Sequence, residues 1–175
     1  MKVLFSFLVA IFVLSGCSTL QVDVDYDDSF DFKSQKTFVV VQSGRESSNG
    51  LFNDRVVDAL NVDLKSKDYQ EVSKRGADLV FVFHADVESK SDIRTDYQMM
   101  GYRGYRYSGM MMSTTSSYDY KEGTLVVDAL NPKTQKIVWR AIATKEIRKY
   151  DTPQERTEAV NRVIKKLMEK FPTKI

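Results

Sequence analysis

Leu14-Ser15-Gly16-Cys17 fixes where the folded part of this chain can begin and which covalent supports it can use. Lys2 gives a short positive start, and Val3 to Leu14 is an apolar stretch broken only by Ser6. Such a run is too short for a helix across a bilayer core, which needs about 20 apolar residues. It matches the 7–15-residue apolar region of a secretory signal. A small pair before the cysteine lets a signal peptidase cleft close on the backbone, and the thiolate can accept a diacylglyceryl group. Residues 1–16 therefore read as a lipoprotein signal peptide, Cys17 as the lipidated residue, 17–20 as a tether and 21–175 as one domain. Ser18, where an Asp tends to retain lipoproteins in the inner membrane, resembles an outer-membrane address, with the domain in the periplasm.

Cys17 is the only cysteine. Once it is acylated, neither a disulfide nor a cysteine nucleophile is available, so the domain must rely on its core, for which it is large enough. The formal net charge is +2, with Lys2 supplying one unit, and both signs are spread evenly. A nucleic-acid surface would instead show clustered Lys and Arg. No apolar run after the signal is long enough for a second membrane segment, so the lipid is the expected membrane contact.

Gln21 to Asp27 alternates Val22, Val24 and Tyr26 with aspartates, the period of a half-buried strand. Thr37 to Val41 is a β-branched run that reads as a second strand, and polar 42–50 as a loop. From Leu51 the period changes: Phe52, Val56, Leu60 and Leu64 describe an amphipathic helix to about Lys67. Tyr69 to Val72 is a short edge strand after a tight Lys67-Asp68 turn.

Asp78 to Lys90 is the strongest strand signal, with Leu79, Phe81, Phe83, Ala85 and Val87 on one face and Val80, Val82, His84, Asp86 and Glu88 on the other. Glu122–Leu130 and Lys136–Ile147 read as a hairpin across the turn formers of 131–135. Ala129, Ala141 and Ala143 are the small residues that a closely crossing helix requires, and Trp139 shares their layer as a core residue whose indole N–H should meet a backbone carbonyl. Thr152, Pro153 and Glu155 mark a capped helix start. Ala159, Val160, Val163, Ile164, Leu167, Met168 and Phe171 form its apolar stripe, and Pro172 ends it. The predicted fold is α+β: a single mainly antiparallel sheet of about five to six strands with two helices packed on one face.

The Glu122-Gly123-Thr124-Leu125-Val126-Val127-Asp128 strand, followed by Lys136-Ile137-Val138-Trp139-Arg140, resembles a pairing typical of lipoproteins with domain of unknown function 4136. Ala77 to His84 looks like that family's central strand, and Val24-Asp25-Tyr26-Asp27 like its opening. The resemblance covers most of 20–171. It implies an envelope lipoprotein with an α+β domain, and it implies no reaction. One departure is Lys67-Asp68-Tyr69, where the family often has a glycine before the tyrosine.

Enzymatic constellations are weak. His84 and Asp86 lie on one strand face, but their Cβ atoms are about 7 Å apart, and no nucleophile accompanies them. One histidine makes a poor metal site, and no phosphate-cradling glycine loop or dinucleotide fingerprint is present. The reading is of a non-enzymatic protein without a cofactor. The most unusual segment, about 97–120, holds six of the nine tyrosines and five of the seven methionines, interrupted by Gly101, Gly104 and Gly109. It reads as a long loop, and long loops tend to be functional.

Tyrosine gives large contact area at low entropic cost, so Tyr102, Arg103, Tyr105, Arg106 and Tyr107 are the candidate surface for an envelope protein or glycan. A second reading is a structural or assembly factor docking through the sheet face of Val80, Val82, Val126, Val138 and Ile142 beside His84, Asp86, Asp128 and Arg140. A third is metal handling by Met99-Met100 and Met110-Met111-Met112, because thioethers suit Cu(I); adjacent methionines on an extended chain point apart, which counts against it.

Overall fold

The computed structural model describes residues 20–42, 50–100 and 110–172. Cys17, residues 1–16 read as a signal peptide, and the five candidate residues Tyr102, Arg103, Tyr105, Arg106 and Tyr107 lie outside them. Among the described residues no helix is long and apolar enough to cross a membrane.

The strands are β1 (Gln21–Tyr26), β2 (Thr37–Gln42), β3 (Gln70–Glu71), β4 (Leu79–Met100), β5 (Met110–Asn131) and β6 (Lys136–Glu146); the helices are α1 (Gly50–Ser66) and α2 (Pro153–Met168). One sheet has the order β1-β6-β5-β4-β2-β3. Its β1–β6, β6–β5 and β5–β4 pairings are antiparallel, but β2 runs parallel to both β4 and β3. The sheet is thus mixed, which corrects the expectation of a mainly antiparallel one. The cause is α1, which crosses between β2 and β4 and returns the chain to the same end of the sheet, as a strand–helix–strand unit must.

Alternation decides which face is buried. Phe38, Leu79, Phe81, Phe83, Leu125, Val127, Ala129, Trp139, Ala141 and Ala143 form one core with Val56, Leu60 and Leu64 of α1 and Ile164, Leu167 and Met168 of α2. Both helices cover that single face, as the sequence pattern indicates. Phe171, just past α2, sits where four rings meet, with centroids 5.0 Å from Trp139, 5.5 Å from Phe81, 5.7 Å from Phe32 and 6.0 Å from Tyr69. The Trp139 indole N–H finds no hydrogen-bond partner among the described residues, contrary to the expected carbonyl contact; packing alone holds the ring.

Local capping follows the sequence signals. The Thr152 hydroxyl accepts from Glu155 N at 3.2 Å, while the Glu155 carboxylate accepts from Asp151 N at 3.0 Å. After α1, Asp68 adopts φ 63°, a left-handed conformation that favours glycine. The departure at Lys67-Asp68-Tyr69 therefore falls on a position whose geometry would suit glycine.

β4 and β5 are far longer than the sequence suggests. They pair continuously from Val80–Leu130 to Met100–Met110, so 97–100 and 110–120 belong to strands and not to a loop. Only 101–109 remains between them. The other strands leave this hairpin early: β2 reaches Phe83 of β4, and β6 reaches Glu122 of β5. Beyond that line, Ser89–Met100 and Met110–Lys121 form a bare two-stranded ribbon of roughly 40 Å at about 3.3 Å per residue.

Candidate functional site

The ribbon carries the distinctive residues of the sequence. Ile93 and Tyr97 are each 69% exposed and, like Val87 at 55% just before the ribbon, lie on one face. Tyr118 and Tyr120 lie on the other face and stack with centroids 6.2 Å apart. Ser and Thr fill much of the remainder, and the Ser91 hydroxyl donates to Asp119 at 2.5 Å across the pair. The register pairs Met99 with Met111 and Met100 with Met110.

At the ribbon root three carboxylates stand abreast, because Glu88 faces Glu122 and Glu122 faces Glu146. Like charges directly opposite repel. Lys90 relieves this by pairing with Glu122, and that hydrogen bond holds the Lys90 ammonium above its usual lysine range. Tyr118 Oη donates to Glu146 at 3.4 Å.

The chain enters the domain at this same end. Gln21 pairs with Thr144, two residues before Glu146, so β1 begins at the end of the sheet from which the ribbon projects. Near this end, on the helix-bearing face, lies a cavity of about 670 Å³. Phe83, Leu125 and Ala143 form its floor; Phe52 of α1 and Val160 and Val163 of α2 form its roof. A Cβ on Gly123 would stand 3.1 Å from two Ile147 side-chain carbons, so a larger residue there needs the Ile147 side chain to shift slightly.

The opposite sheet face carries no described helix. Val80 and Val126 are buried, Val39, Val41, Val82, Leu130 and Ile142 are half-buried, and Arg140 grips Asp128 through Nε–Oδ1 at 2.7 Å and Nη2–Oδ2 at 2.8 Å. Val138 departs from this grouping. It lies at the register shift beside Ala129 and Leu130 and joins the hydrophobic core. His84 is exposed and its imidazole forms no hydrogen bond or ion pair among the described residues, while Asp86 Oδ1 accepts from its neighbour Val87 N at 2.9 Å. Both border the cavity without meeting each other. No group of three or more His, Cys, Asp or Glu among the described residues could hold a metal ion.

One polar bracket gave no signal in the sequence. Asp78 Oδ2 accepts from Lys36 N and Thr37 N at 3.0 Å each and from Thr37 Oγ1 at 2.8 Å, while Asp78 N donates to Thr37 Oγ1 at 2.9 Å. The backbone hydrogen bond from Lys36 leads in holding the Asp78 carboxyl below the usual carboxylate range. The bracket starts the parallel β2–β4 pairing. Its partners are 41 and 42 residues apart, and nothing local marks them.

These features define an α+β protein with one helix-covered mixed sheet and a projecting β-ribbon. The chain belongs to the family described as domain of unknown function (DUF4136), which matches residues 22–173. No curated protein matches. A PDZ domain protein from Parabacteroides distasonis ATCC 8503 is similar in structure, with TM-score 0.57 and 13% identity. That match covers 94% of this chain, which spans only 39% of the other. The PelC dodecamer from Paraburkholderia phytofirmans gives TM-score 0.49 and 12% identity over 85% of this chain and 95% of that one. A minor lipoprotein from Acinetobacter baumannii gives 0.40 and 9%, over 77% and 91%. At these identities the likeness concerns fold alone.

Proposed function

We propose that this protein is a lipid-anchored, non-enzymatic binding protein of the cell envelope, held to the outer membrane through acylated Cys17 with its domain in the periplasm and its β4–β5 ribbon as the recognition arm. The observation that carries this reading is the ribbon itself. Natural sheets keep exposed edges short or covered, and an isolated two-stranded hairpin contributes little stability in water. A ribbon of roughly 40 Å that presents Ile93, Tyr97 and Tyr118 to solvent is therefore poorly explained by the needs of the fold.

The arm ends in the segment holding Tyr102, Arg103, Tyr105, Arg106 and Tyr107, whose chemistry suits an envelope protein or glycan. Because tether and ribbon share one end of the sheet, the arm works close to the membrane surface. The test replaces Ile93–Ser117 by an Asn-Gly turn, which leaves Asp92 facing Tyr118 in register. The domain should fold as before, and the cross-linked species seen with the native lipoprotein in envelopes should disappear; an unchanged cross-linking profile would contradict the reading.

The second reading is a structural or assembly role for the sheet face opposite the helices. Its support is that no described helix covers Val82 and Ile142. Val82→Glu or Ile142→Arg would then abolish the same cross-links while ribbon removal would not.

A further inference from the structure

The cavity between the helices and the sheet has no assigned occupant, and we infer that it houses an acyl chain carried by Cys17 of the same chain. The inference rests on the lipid-anchor reading above. Its first support is shape and chemistry. The walls are mostly apolar, with Phe52, Phe83, Leu125, Val160 and Val163 facing a volume of about 670 Å³, within the range of small-molecule sites. Ala85 and Gly123 keep the floor low, and Ala85 stays exposed although its row partners Leu125 and Ala143 are buried. The helices thus leave a trough across the sheet that reaches from the β1 edge to β4, about 14 Å at three strand spacings.

The second support is where the chain enters. Leu20 lines the trough and packs partly buried against the core. Cys17 precedes it by three residues, so its Cα lies within roughly 11 Å of the Leu20 Cα even at full extension, and its sulfur-linked lipid starts close by. A group on so short a tether competes at an effective concentration in the millimolar range. A free fatty acid would also need its carboxylate met. Arg55 donates to Thr157 Oγ1 and Leu51 O, both at 3.0 Å, and Arg156 to Tyr150 O at 3.3 Å; these acceptors are neutral, so both guanidiniums and Lys145 could meet such a carboxylate, and a free fatty acid is the competing occupant. An ester- or amide-linked chain needs no such partner. Housing one acyl chain hides it from water when the protein is away from a bilayer.

The experiment uses the full-length protein matured in cells fed a diazirine-bearing palmitate, purified and exchanged out of detergent. Intact mass first establishes whether Cys17 carries the lipid. Irradiation and peptide mapping should then place adducts in the stretches 83–87 and 159–163, and Ala85→Trp, which fills the trough at an exposed position, should abolish them. Val163→Phe provides a second filler should Ala85→Trp disturb folding. Absence of the lipid mass would overturn both the anchor reading and this inference. Lipidated protein whose adducts lie only elsewhere, or whose trough holds a non-covalent fatty acid, would overturn the inference alone.

Discussion

The two halves of the β4–β5 hairpin share strands and register, yet they obey different constraints. Near the sheet, Phe81 and Phe83 are almost wholly buried between neighbouring strands and helices. Farther out, Ile93 and Tyr97 sit at equivalent alternating positions and are each 69% exposed. Strand pairing alone therefore does not define the domain; burial does. Past Glu88 and Glu122 the hairpin persists on cross-strand pairs and β-favouring Ser, Thr and Tyr side chains, and its residues are not held in the core.

Substitutions sharpen this contrast. Phe81→Ala should cost about 3–5 kcal/mol through a core cavity, read as a lower denaturant midpoint with unchanged slope. The equivalent change in the ribbon, Tyr97→Ala, should stay within about 0.5 kcal/mol, as surface substitutions do. A comparable loss at both positions would break the comparison.

Asp78→Ala should cost about 1–3 kcal/mol by leaving the Lys36 and Thr37 amides unmet. Because the Asp78 carboxyl is held below its ordinary value of 3.8, its contribution is fully present above that pH and is lost as pH falls through the lower folded-state value. Wild type and Asp78→Ala should therefore converge in stability at acid pH and diverge near neutrality, as acid-titrated thermal melts would show.

Smaller still, Asp68→Gly should stabilise by about 0.5 kcal/mol, since glycine adopts the left-handed φ without a Cβ penalty. Lys90→Ala should leave global stability nearly unchanged but speed amide exchange around Glu88 and Glu122, where three carboxylates would lose their cation.

Much of this was legible in the sequence, and the exceptions have physical reasons. The apolar stripes of Val56, Leu60 and Leu64 and of Ile164, Leu167 and Met168 announce both helices, and the small residues Ala129, Ala141 and Ala143 mark where they cross the sheet. The parallel β2–β4 pairing was implicit in a strand–helix–strand order, but its Asp78–Thr37 bracket is long-range and leaves no periodicity. In the sequence the ribbon reads as a loop, because alternation of apolar and polar residues reports a strand with one buried face. A two-stranded ribbon exposed on both faces leaves no such pattern, and glycine-rich, tyrosine-rich sequence then resembles a loop. The cavity was hidden because it arises from what two helices fail to cover, which no local periodicity records.

The claim that the ribbon is the recognition arm is tested most directly by placing a photo-cross-linking amino acid at Tyr97 and, separately, at Ile142 in the native lipoprotein, and irradiating whole cells. The account predicts a discrete adduct from Tyr97 and none from Ile142. Adducts from Ile142 alone would contradict it and assign the contact to the sheet face.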